Sequence, residues 1–109
     1  MKKFITAILI SAVLSGCAAM LHAPAEADVA TASQHFPGIT YESLQKGYHL
    51  YVTKCSGCHR LYEPSEHTGE QWRKLLPEMA ERAKLNDEEQ DLIYKYLMTM
   101  TESSAGEKN

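Results

Sequence analysis

Residues 55–59 read Cys-Ser-Gly-Cys-His, and no other run in the chain restricts its fold as strongly. Two thiols three residues apart, followed at once by an imidazole, can serve one shared partner. A tetrahedral zinc site needs two further ligands at close spacing. The remaining histidines, His22, His35, His49 and His67, are scattered, and there is no second C-x-x-C. A thioredoxin-like pair needs a βαβ setting, and nothing here alternates with the period of two expected of strands. A plain disulfide is awkward at this spacing and stays open.

C-x-x-C-H is, by contrast, the attachment sequence for c-type haem. Thiols so spaced at a helix end can add to the two vinyl groups on one edge of the macrocycle, and the next residue turns its imidazole under the iron. The expected covalent attachments are therefore Cys55 and Cys58, with His59 as the proximal ligand. The other ring nitrogen of His59 then donates to a backbone carbonyl, for which the short loop toward Pro64 is the expected source.

Size makes the same demand. The expected folded part, residues 39–101, is short enough that a hydrophobic core alone leaves it marginal and a covalent or cofactor staple is common. Three helical segments account for it. The first runs from Tyr41 to Lys54, with Leu44, Tyr48, Tyr51 and Val52 at helical spacing and Gly47 leaving room for another element. The second follows Thr68, which pairs with Gln71 as a capping box, and carries Trp72, Leu75, Leu76, Met79, Ala80 and Ala83 as one apolar stripe. Pro77 lies inside that stripe and predicts a kink or an end near Leu76. The third starts at Asn86, with Asp87, Glu88 and Glu89 at its positive end, and buries Leu92, Ile93, Tyr96, Leu97 and Met100. Met98 and Met100 are expected to pack against the first helix, and residues 102–109 form an expected disordered tail.

Residues 1–16 combine Lys2 and Lys3, an apolar run from Phe4 to Leu14 and small residues, the pattern of a secretory signal. The run falls well short of the roughly 20 residues that a membrane-spanning helix needs. Leu14-Ser15-Gly16-Cys17 resembles the bacterial lipoprotein signal, which implies an acylated Cys17 at a new amino terminus and an anchor in the membrane. That assignment accounts for the odd third cysteine, and residues 17–38, small and polar, read as a flexible tether. Without Lys2 and Lys3 the chain has nine basic residues against 14 acidic ones, a formal charge of −5, so nucleic acid is not an expected partner.

Gly47-x-x-x-Tyr51-x-x-x-Cys55-x-x-Cys58-His59, then Thr68-x-x-x-Trp72, Met79, Leu85-Asn-Asp-Glu-Glu and Tyr96-Leu97 together resemble the small single-haem class I cytochromes c. The resemblance implies an all-α, compact fold with three main helices around one covalently attached haem c. It also implies a crossing of the first and last helices, where Gly47 and Tyr51 meet Tyr96 and Leu97. In that family a methionine between the haem motif and the last helix completes the iron coordination, and Met79 stands in the matching place. Met79 as a core gap-filler is the plainer reading, and His67 is the alternative sixth ligand.

The implied function is single-electron transfer between redox partner proteins, with donor and acceptor not readable from the sequence. No nucleophile with a placed base and no phosphate-binding glycine loop points to an enzyme. Two other readings are a haem with an open sixth position, for gas sensing or peroxide turnover, and a haem subunit docked on a larger oxidoreductase. By resemblance to lipoprotein sorting, Ala18 after Cys17 implies the outer membrane, facing the periplasm, rather than the inner membrane.

Overall fold

The computed structural model describes residues 22–55 and 60–107, and among these the chain is helical with no strand. Four helices are present: α1 (Asp28–Ser33), α2 (Tyr41–Cys55), α3 (Gly69–Ala83) and α4 (Asp87–Glu107), with a 3-10 turn at Pro64–Glu66. Local chemistry sets most of the boundaries. Thr40 Oγ1 accepts from the Ser43 N–H at 3.1 Å to open α2. Thr68 and Gln71 form the reciprocal box before α3, at 3.2 and 2.8 Å. Asn86 and Glu89 do the same before α4, at 2.8 and 3.1 Å. α3 stops where Lys84 turns left-handed (φ 58°), and the Lys84 and Leu85 N–H groups reach back to the last-turn carbonyls.

α4 is the spine of the fold, contacted by α1, α2, α3 and the 3-10 turn. Its buried stripe, Ile93, Tyr96, Leu97 and Met100, meets Tyr51 and Cys55 from α2 and Trp72 and Leu76 from α3. Burying each large apolar side chain of this kind contributes about 1.5–3 kcal/mol, so this cluster carries most of the domain's cohesion. α2 crosses α4 at Gly47, where a Cβ would stand 2.9 Å from Tyr96 Cβ and closer still to the Leu92 carbonyl. Only glycine fits there. The Tyr51 and Tyr96 rings lie 6.0 Å apart beside that crossing, while the backbone contact falls on Leu92 rather than Leu97.

Four expectations need correction. First, α3 does not end near Leu76 but runs through Pro77 to Ala83. Pro77 is exposed while Trp72, Leu76 and Ala80 are buried on both sides of it, so core packing holds the two halves in one helix despite the missing donor. Second, residues 28–38 are no loose tether. Ala32 is fully buried, Phe36 packs edge-on against Tyr94 at 6.0 Å, and the Tyr96 hydroxyl donates to the His22 carbonyl at 3.0 Å. Third, α4 continues to Glu107, past the start of the expected tail. Its last turns are engaged by the amino-terminal segment: Ser103 donates to Asp28 at 2.9 Å, and His35 Nε2 lies 2.7 Å from Glu102. Fourth, Met98 has a neighbour that was not expected, Gly69 at the start of α3.

Candidate functional site

α3 carries two apolar rows where the sequence suggested one. Trp72, Leu76 and Ala80, at four-residue intervals, are buried in the core. Leu75, Met79 and Ala83, one row around the helix, stay only half-buried. This second row lines a cavity with Tyr51 and Cys55 of α2, and Glu78 and Arg82 complete its wall. The empty space there, mouth included, is about 560 Å³. A helix face of leucine, methionine and alanine left open in a small domain is unusual unless something apolar covers it.

Cys55 ends α2 and is 6% exposed, with its thiol on this cavity. Met79 reaches the same space from α3. Thus two of the sequence-derived site residues, from different helices, converge on one apolar chamber. Cys17, Cys58 and His59 lie outside the described residues. Tyr51 forms a side wall and is fixed by its hydroxyl, which donates to the Tyr62 carbonyl at 2.7 Å. Burial, reinforced by the neighbouring Cys55, pushes its phenol well above the usual tyrosine range, so it stays neutral.

His67 sits elsewhere. Its ring packs edge-on against Trp72 at 4.7 Å and Tyr62 at 5.2 Å, and it lines a separate polar groove with Thr68, Gln71 and Thr101. Trp72 is itself fully buried, 6.2 Å from the Tyr51 ring. Its indole N–H donates to the Pro64 carbonyl at 2.8 Å, and the Thr101 hydroxyl donates to the same oxygen at 2.6 Å. The His67 N–H also donates to it at 3.4 Å, so the Pro64 oxygen is fully engaged.

The loop that leaves residue 59 is held from outside. Arg60 lies over the Tyr62 ring at 4.7 Å and pairs with Glu66 at 2.9 Å. The Glu63 N–H donates to Glu66 at 2.6 Å. Hydrogen bonds from Arg60 and from that N–H hold the Glu66 carboxyl below its ordinary pKa.

Sequence reasoning placed Tyr51 only at the helix crossing and passed over Glu78 and Arg82. Their positions, one before and three after Met79 on a helix, were the available signal.

This is the architecture of a small helical cytochrome: a thiol at a helix end and a thioether on a facing helix share one apolar cavity. A family model described as dihaem cytochrome c matches residues 51–109, more than half of the chain. The chain belongs to the dihaem cytochrome c family. A model for the prokaryotic membrane lipoprotein lipid attachment site matches residues 1–18, and the protein is an exported, lipid-anchored one. No curated protein and no solved structure matches the chain. The resemblance implied a single haem, whereas the family's description counts two, and these 109 residues contain one C-x-x-C-H.

No helix among the described residues is long and apolar enough to cross a membrane.

The residues present fit a haem. A buried thiol, a thioether and an apolar wall suit the macrocycle, and the charged lining residues, Glu78 and Arg82, are largely exposed.

Proposed function

We propose that this chain is a one-electron carrier holding a single haem c through Cys55 and Cys58, with His59 and Met79 as axial ligands. The count of one rests on the single attachment motif in the sequence. The observation that carries the reading is the convergence of Cys55 and Met79 on one cavity, with His67 lining a different groove. When bound, the haem supplies the redox change, and a neutral thioether ligand favours the reduced iron and raises the potential.

The protein residues supply position and apolar surroundings. Cys55 fixes one edge of the group at the end of α2. Met79 would offer its sulfur from a helix whose other row, Trp72, Leu76 and Ala80, is fixed in the core. Tyr51, Leu75 and Ala83 would supply apolar wall against the bound group. Ligation by His59 and Met79 together would leave the iron no open position for a substrate, which suits an electron carrier.

We further propose that Cys17 carries the lipid, that the domain faces the periplasm from the outer membrane, and that its donor and acceptor are redox proteins. A potentiometric titration of the haem-loaded protein, followed by CO addition to the ferrous form, tests the carrier reading. A reversible one-electron titration with no CO-induced spectral change is expected. A high-spin spectrum that shifts with CO would replace electron transfer with ligand binding or peroxide turnover.

A further inference from the structure

The cavity wall combines two kinds of surface. Tyr51, Cys55, Leu75, Met79 and Ala83 make it apolar, while Glu78 and Arg82 bring charge. Arg82 is three residues beyond Met79 and four beyond Glu78, so it lies one turn further along the face of α3 that carries Leu75 and Met79. Its guanidinium pairs with Glu78 at 2.9 Å, and both side chains are about two-thirds exposed, at 66% and 67%. A solvated i,i+4 pair of this kind is weak and readily exchanged for a better partner.

A haem fixed through thioether bonds at one edge carries two carboxylates on the opposite edge. A carboxylate brought against an apolar wall needs a donor, and a guanidinium meets it with two parallel N–H groups, which an ammonium cannot do. Among the described residues lining the cavity, Arg82 is the cation, and Glu78 is the carboxylate that competes for it.

We propose that Arg82 anchors a haem propionate and exchanges Glu78 for it when the haem is held. The proposal rests on the haem reading above. Glu78 then turns to solvent, and the group is clamped at both edges, by thioether at Cys55 and by guanidinium at Arg82.

The test uses the full-length, haem-loaded protein and its Arg82→Gln, Arg82→Lys and Glu78→Gln variants. A pyridine haemochrome assay first measures covalent haem. Its absence from the parent would overturn the haem reading itself, and the anchor with it. With haem present, resonance Raman spectra report the propionate bending band, and potentiometry reports the midpoint. Arg82→Gln is expected to shift the band and lower the potential, because a positive charge beside the haem carboxylate is lost. Arg82→Lys should restore the potential more fully than the band, since it keeps the charge without the fork. Glu78→Gln should leave the band where the parent has it. A band unmoved in Arg82→Gln, or moved equally by Glu78→Gln, would overturn the anchor and leave Arg82 as a partner of Glu78 alone.

Discussion

Replacing Gly47 with alanine sets two effects of known size against each other. Alanine in a helix interior is favoured over glycine by about 1 kcal/mol, so propensity alone predicts stabilisation. The structure predicts the reverse. The added Cβ would lie 2.9 Å from both the Leu92 carbonyl carbon and Tyr96 Cβ, where ordinary contact begins at 3.4 Å, and it would press on the Leu92 carbonyl oxygen. Two of these three neighbours are backbone atoms that no rotamer change can move. α2 and α4 must therefore separate, which loosens Tyr51, Ile93 and Tyr96 at the centre of the core. Overpacking of this sort costs about 1–3 kcal/mol, and more where backbone is struck. The net expectation is a loss of about 2 kcal/mol, or roughly 8–16 °C in Tm for a domain of this size. Thermal unfolding of the haem-loaded protein, followed by far-ultraviolet circular dichroism, measures it. An unchanged or raised Tm would refute the close crossing at Gly47.

Three smaller perturbations test other parts of the account. Trp72→Phe removes volume from a fully buried site but leaves the Pro64 carbonyl paired with Thr101. It should cost about 1.5–3 kcal/mol in urea titrations, and a loss below about 0.5 kcal/mol would contradict that packing. Lys84→Gly relieves a non-glycine residue at φ 58° and should stabilise by about 0.5–1 kcal/mol in the same assay. No gain would argue against the left-handed cap. Glu66 has its folded pKa held below the ordinary carboxylate value, so its contribution is present above that value, near 4.5, and is lost as pH falls through the folded pKa. Glu66→Gln should therefore be less stable than the parent at neutral pH, with the gap closing in acid. A gap independent of pH would refute the role given to the Arg60 pair.

Much of the helical frame was legible because its signals are local. Thr68 with Gln71 and Asn86 with its acidic neighbours act within four residues, and the Leu44–Tyr51 and Ile93–Met100 rows repeat at helical period. What escaped was non-local. α1 is six residues long and buries a single alanine, and the contacts that hold its segment reach partners 67 to 75 residues away, His35 to Glu102 and Asp28 to Ser103. No window along the chain contains them. The helix end that Pro77 suggested is absent for the same reason, since its local penalty is outweighed by packing on residues distant in sequence. In the site, Cys55 and Met79 could be picked out singly, but only the fold shows that they face one cavity. The split of the α3 stripe into a core row and a cavity row depends on where α2 ends, which no periodicity reports.

The central claim is that Met79 closes the iron's coordination from across the cavity that Cys55 bounds. The direct measurement is the weak near-infrared absorption band that reports sulfur bound to ferric haem iron, recorded for the haem-loaded protein and for Met79→Ala. A band present in the parent and absent from the variant is the expected result. A parent without the band, or a variant that keeps it, would contradict the claim.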